Sequence, residues 1–277
     1  MYLPPQDDFD PDRIAESGQC FRWAPVGSGG YRIPFRDACL YIRAAEDGGL
    51  ELDCGETEFQ AVWREYFDLD TDYAALRDRV DRELDPFLYR AVRAQRGIRI
   101  LRQDPWETLV SFIISQNRNI PAIRRSVERL CLAAGEARED RRGVPFYAFP
   151  GPERILRLDD AALDSCRLGY RAKYVRAAAR AAAEGRLHLG SLAEAPEEET
   201  LAALTSLYGV GIKVASCVSL FGLHHLDAFP VDVWIRRVLE TEYPGGYPRE
   251  RYSPYNGVYQ QYMFACYRGR GKEKDHG

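Results

Sequence analysis

The stretch with most chemical content is Leu207–Val233, LYGVGIKVASCVSLFGLHHLDAFPVDV. A helical segment, Glu197–Leu207, runs into Gly209-Val210-Gly211 and straight into a second helix, Ile212–Leu223. Two glycines around one apolar residue predict a tight turn with positive φ angles. Such a turn presents the first N–H groups of the next helix, whose partial positive charge suits a phosphate. Taken alone, the turn reads better as a plain helical hairpin. Lys213 falls in the first turn of the second helix, where the dipole favours acids over cations. That position, with burial, disfavours the charged ammonium, and a neutral amine is a nucleophile. Cys217 lies four residues on, so both side chains share one helix face. The alternative for Lys213 is a surface side chain whose stem lies on apolar neighbours while its head reaches water. Asp232 follows Phe229-Pro230-Val231 and opens the apolar segment Val233–Glu240, so it reads as an N-cap. A capped carboxylate is fixed in position and can stabilise a nearby developing positive charge.

The elements that must position these groups fall into two kinds. Short β-like runs at Cys20–Trp23, Tyr31–Pro34, Ala38–Arg43 and Leu50–Cys54 are separated by turn sequences such as Val26-Gly-Ser-Gly-Gly30. They predict an antiparallel sheet of roughly four or five strands. From Glu56 the signal is helical: Phe59, Val62, Trp63 and Tyr66 recur with a period near 3.6. Asp104-Pro105 reads as an N-cap followed by proline at the first helical position. The helix it opens, Trp106–Ser115, is apolar on nearly every side and belongs in a core. It ends in the polar run Ser115-Gln-Asn-Arg-Asn119. Further helices are predicted at Ala122–Ala134, Asp159–Cys166, Tyr170–Glu184 and Pro254–Tyr267, with a charged, frayed end over Arg268–Gly277. The fold class is therefore α+β. A sheet domain with its following helices occupies residues 1–103, and a mainly helical domain occupies 104–277.

Composition narrows the function classes. The chain has 277 residues, is 45% hydrophobic and carries a net charge of −4, which excludes a uniformly basic DNA-coating surface but not local basic patches. Arg167–Arg186 holds six basic residues and one acid, and Arg118, Arg124, Arg125 and Arg129 stand together with only Glu128. Either run, by itself, reads as a solvated helix face. Seven scattered cysteines without a CxxC or Cys/His cluster argue against zinc or iron–sulfur sites and for reduced thiols. The acidic, Pro-rich N-terminus is no secretory signal and no run is long enough to span a bilayer, so a cytoplasmic chain is expected.

A helix, a Gly-Val-Gly hairpin, a lysine two residues on and an aspartate after Pro-Val resemble the helix–hairpin–helix DNA glycosylases. The wider sequence is similar to their 8-oxoguanine branch, as a bacterial-type member. The similarity runs through Ser17-Gly-Gln-Cys-Phe-Arg-Trp23, Tyr66-Phe-Asp-Leu-Asp70, Leu101-Arg-Gln-Asp-Pro105, Ser115-Gln-Asn-Arg-Asn-Ile120 and Leu168-Gly-Tyr-Arg-Ala-Lys-Tyr174. The resemblance implies a sheet domain beside a helical domain with duplex DNA containing oxidised guanine bound across the cleft by a monomer, without cofactor. It implies base excision by Lys213 with Asp232 as its carboxylate partner, then strand cleavage by β-elimination from a Lys213 Schiff base. Gly18 would accept a hydrogen bond from N7–H of the lesion through its carbonyl. Cys217 and Phe264 would sandwich the everted base, and Gln260 would read its Watson–Crick edge. Asn117 would fill the vacated gap, with Tyr170 and Arg171 near the opposite strand. Gly209 and Gly211 would hold a backbone phosphate, and the resemblance also raises a potassium or sodium ion at their carbonyls. Two departures stand out. Ala122 replaces an arginine that helps read the opposite cytosine, which predicts relaxed opposite-base preference. Trp234 and Tyr267 replace a phosphate-contacting histidine and its acid partner. The alternatives are a glycosylase for other oxidised or alkylated bases, against which Lys213 argues in the monofunctional alkyl-base case, and a non-catalytic DNA-binding module, which leaves Lys213 and Asp232 without a shared role.

Overall fold

The computed structural model describes residues 1–6, 8–27 and 29–274. A five-stranded antiparallel sheet is formed by β1 (Tyr2–Leu3), β2 (Ala24–Val26), β3 (Gly30–Phe35), β4 (Ala38–Ala44) and β5 (Leu50–Leu52), in the order β1-β5-β4-β3-β2. Pairing Ile33 with Leu40 and Leu50 with Ala44 fixes a register that sends Ile33, Phe35, Leu40, Ile42, Leu50 and Leu52 to one face. Phe59, Trp63, Tyr66 and Phe67 cover that face. The helix predicted there forms, with a π-helical turn over Phe59–Trp63.

The run Cys20–Trp23 is not a strand; the strand starts at Ala24. Gly18 turns the chain with φ +80°, and the next residues find side-chain partners instead of a ladder. The Gln19 carbonyl accepts from Gln103 Nε2 at 2.9 Å, and the Arg22 guanidinium donates to Glu128 at 2.9 Å and to the Tyr147 carbonyl at 2.6 Å. Phe21 enters the helical core while Cys20 and Trp23 enter the sheet core, so this segment joins the two.

The helices that position the site are α1 (Pro86–Ala94), α2 (Pro105–Ser115), α3 (Ile120–Ala134), α4 (Arg171–Ala183), α5 (Glu197–Thr205), α6 (Ile212–Phe221), α7 (Val233–Glu242) and α8 (Asn256–Lys274). The Asp104-Pro105 signal acts as expected, and Asn119 supplies a further cap that the sequence reading did not single out. Asp104 accepts from Glu107 N at 2.9 Å to cap α2, and Asn119 accepts from Ala122 N at 3.0 Å to cap α3. α2 is buried along Thr108–Ile114 and packs on α6, α3 and α4. α1 was not anticipated, although Asp85-Pro86 caps it and Phe87, Leu88, Ala91 and Val92 form its buried face. It packs on α8, so the helical core draws in Tyr73–Ile100 from before the expected 103/104 boundary. A small hairpin, β6 (Ala137–Glu139) with β7 (Pro145–Tyr147), was also missed. The expected fraying from Arg268 gives way to continued helix to Lys274; residues 275–277 lie outside the described ones. Among the described residues no helix is long and apolar enough to cross a membrane.

Candidate active site

The hairpin between α5 and α6 is built from two glycines that do different work. Gly209 has φ +84°, and a Cβ added there would press into the Tyr174 ring, 2.6 Å from Cδ2 and closer still to Cγ and Cδ1. Gly211 has φ −93° and ψ 173°, an extended conformation open to any residue, and space around it. The expectation of two positive φ angles therefore holds for Gly209 alone. The turn needs one reversal, and Val210, buried at 5%, anchors it through Val210 N to Leu207 O at 3.0 Å. Gly211 brings no capping side chain, so the first amides of α6 are left for an external acceptor. The Gly209 carbonyl accepts from Gln116 Nε2 at 3.1 Å and that of Gly211 from Ala215 N at 3.0 Å. Each of these oxygens has one protein donor.

Lys213 is exposed, which corrects the expectation of burial. It stands on the first turn of α6, and a first-turn side chain points out past the helix end. Its ammonium lies 5.7 Å from the Phe112 ring, and its charge acts on the Cys217 thiol one turn along α6. Burial pushes the Cys217 thiol up to about 11, against the pull of the neighbouring Lys213 charge, while the Asp232 carboxylate raises it further. Lys213, Cys217 and Asp232 thus form one electrostatic group across α6 and the start of α7. Asp232 caps α7 through one oxygen, which accepts from Trp234 N at 2.9 Å and Ile235 N at 2.8 Å. The first residues of α6 and α7, Ile212 and Val233, are 62% and 63% exposed beside this group and form an apolar rim.

Gly18 lies beside the half-buried Phe264. A Cβ on Gly18 would stand 3.7 Å from Phe264 Cε1 and 4.0 Å from Ile120 Cδ1. Gln260, one turn before Phe264 on α8, is buried; its Nε2 donates to the Pro230 carbonyl at 2.8 Å and its Oε1 accepts from Gln261 at 3.0 Å. Gln260 therefore ties α8 to the segment that carries Asp232, and it keeps one N–H and one lone pair beyond these partners. Trp234 is half-buried under the Arg237 guanidinium, 5.2 Å from the ring, and the Tyr267 hydroxyl donates to Glu242 at 2.8 Å.

Asn117 is exposed with φ 52°, and its Nδ2 donates to the Tyr170 hydroxyl at 3.1 Å. Arg171 differs from the expectation of a free cation near DNA. It is buried, and its guanidinium donates to the carbonyls of Gln116, Asn117 and Leu168. Arg118 returns the favour in reverse, donating to the Arg167 carbonyl and to Ser126 Oγ at 2.6 Å. Each loop thus holds the other's backbone. The two basic runs are likewise not uniform faces: Arg124 is bound to the Ala15 carbonyl and Arg176 to Asp160 and the Leu158 carbonyl. Sequence reasoning missed Gln116, which links α2 to the hairpin through Ile113 O and Gly209 O. Its only sequence signal was its place in the polar run that ends an apolar helix. Among the described residues no group of three or more His, Cys, Asp or Glu could hold a metal.

Comparison with known proteins agrees with this architecture. Residues 1–109 match the 8-oxoguanine DNA glycosylase N-terminal domain, and residues 110–244 match the HhH-GPD superfamily base excision DNA repair proteins. The N-glycosylase/DNA lyase of Saccharomyces cerevisiae is 38% identical over 254 residues, covering 83% of this chain and 67% of the yeast protein. The structure of MBOgg1 in complex with a low-affinity DNA ligand superposes with a TM-score of 0.90 at 37% identity, covering 98% of this chain and 96% of that one. The Clostridium acetobutylicum 8-oxoguanine glycosylase/lyase, in complex with double-stranded DNA containing cytosine opposite 8-oxoG, gives 0.88 at 32% identity, covering 96% and 93%. The chain belongs to the 8-oxoguanine DNA glycosylase/lyase family of the HhH-GPD superfamily.

Proposed function

We propose that this protein removes 8-oxoguanine from duplex DNA and cuts the strand through a Schiff base on Lys213. The observation that carries the reading is the exposed Lys213 at the start of α6, acting with Asp232, the cap of α7, on the buried Cys217 thiol, beside a hairpin with uncapped amides. C1′ is unreachable inside a duplex, so the damaged nucleotide rotates out of the stack. Asn117 fills the gap, held by Tyr170 and by the Arg171 clamp on its loop. Lys213 reacts as the neutral amine. The Lys213 nitrogen lone pair then bonds to C1′ as the C1′–N9 bond breaks, and the base leaves with the electron pair and a proton. Asp232, fixed by two amides through one oxygen, stabilises the positive charge on the sugar. Ring opening gives the Schiff base, which acidifies the 2′ proton; its loss breaks the C3′–O bond.

Gly18 supplies the selectivity. Its carbonyl accepts N7–H of 8-oxoguanine, and normal guanine has no proton there; a buried acceptor left unpaired costs about 1–3 kcal/mol. Ala122, half-buried near the start of α3, has no guanidinium to offer the opposite cytosine, which supports a bacterial-type member with relaxed opposite-base preference. A monomer working on the nucleoid in the cytoplasm follows from the same reading.

Borohydride trapping on duplex DNA containing 8-oxoguanine tests the chemistry. A covalent adduct mapping to Lys213 is expected, and Lys213→Gln should bind the lesion duplex without base release or adduct. Substantial excision by Lys213→Gln would sink the assignment. Excision rates should vary modestly among the four opposite bases; a strong cytosine requirement would contradict the reading of Ala122.

A further inference from the structure

Three tyrosines form a ladder between the Asn117 loop and the hairpin. Tyr170, bound to Asn117, meets Tyr174 edge-on at 5.7 Å, and Tyr174 meets Tyr208 edge-on at 5.1 Å. Tyr174 also packs on Gly209, where a Cβ would collide with its ring. The outer rung, Tyr208, immediately precedes Gly209 and is 59% exposed. Lys173 is exposed beside it, with its ammonium 5.4 Å from the Tyr174 ring and 5.5 Å from the Tyr208 ring. Among the described residues no carboxylate pairs with it.

The geometry decides what the pair can bind. The exposed ammonium has three protons to donate, and the exposed Tyr208 hydroxyl beside it has one. The pair carries one net positive charge next to the uncapped amides of α6. Its complement is an anion with several acceptor oxygens.

We propose that Lys173 and Tyr208 form a phosphodiester-binding pair that grips the DNA backbone beside the hairpin, spaced from Asn117 by the tyrosine ladder. This rests on the reading of the chain as a duplex-binding glycosylase. The pair touches no reacting atom; it is a positioning site whose energy is electrostatic and insensitive to base sequence. It differs from the neighbouring arginines, since Arg171 and Arg118 are committed to protein carbonyls.

The test measures duplex affinity against salt by fluorescence anisotropy, with an 8-oxoguanine duplex and its undamaged counterpart, together with single-turnover excision at saturating enzyme. Lys173→Gln should weaken binding to both duplexes alike, by about fivefold at 0.15 M salt, and lower the slope of log affinity against log salt by about one. Lys173→Arg should restore the slope. Tyr208→Phe keeps the rings and removes the hydroxyl, so the melting temperature should hold while affinity falls about tenfold with the salt slope nearly unchanged. The saturated excision rate should stay at the parent value in all three variants. An unchanged slope in Lys173→Gln, or a slower saturated rate at unchanged affinity, overturns the proposal. Failure of the parent protein to excise 8-oxoguanine would overturn the functional reading instead, and that result is distinct because the variants' affinities are measured separately.

Discussion

Gly209→Ala is the substitution whose cost can be worked most directly from the structure. Position 209 has φ +84°, and an L residue in the left-handed region costs about 1–2 kcal/mol. The new methyl also collides with the Tyr174 ring, which cannot simply retreat because it is held edge-on between Tyr170 and Tyr208 at 5.7 and 5.1 Å. Each such ring pair is worth about 0.5–1.5 kcal/mol, so displacing Tyr174 brings the loss to about 2–5 kcal/mol. At about 2–4 °C per kcal/mol for a chain of this order of size, the melting temperature should fall by roughly 5–20 °C. Gly211→Ala is the internal control. Its φ of −93° suits alanine and nothing lies within 4 Å of the added carbon, so only the modest N-cap preference for glycine is lost, about 1 kcal/mol or less. The assay is a pair of thermal melts, with duplex affinity measured below both transitions. Equal melting shifts for the two variants would refute the account of the hairpin.

Gly18→Ala should lower stability by about 1–2 kcal/mol, because φ is +80° while the added carbon makes ordinary 3.7 Å contact with Phe264. Excision of 8-oxoguanine should fall by about tenfold or more, and single-turnover rates at parent level would remove Gly18 from the lesion contact. Glu107 gives a pH prediction: burial pushes its carboxyl up to about 7, against the attraction of Arg22. The folded chain then holds this proton more tightly than the unfolded chain, so the stability it contributes is full below the ordinary carboxyl range and lost as pH rises through about 7. Glu107→Gln should flatten the decline in melting temperature from pH 5 to pH 8, and parallel curves for parent and variant would count against it.

The site was legible in the sequence wherever its geometry is set within a few residues. Asp104 and Asp232 cap helices because a short acceptor before a helical run meets amides two or three residues on. Lys213 and Cys217 share a face because four residues make about one turn. The antiparallel sheet followed from alternation and turn residues, apart from Cys20–Trp23, whose pattern was strand-like but whose polar groups bond to distant partners.

What the tertiary structure alone decided is which groups face the ligand and which hold the scaffold. Arg171, Arg118 and Lys173 look alike in sequence, yet two bind carbonyls of another loop and one reaches solvent beside Tyr208. Gly209 and Gly211 look equivalent, yet only one faces a ring from α4. Gly18 and Phe264 lie near opposite ends of the chain and touch only after two cores have assembled around Phe21 and Trp23. Local rules fix the direction of a side chain relative to its own helix or turn. Partners remote in sequence are chosen by how apolar faces close on one another, and that is settled by packing over the whole molecule.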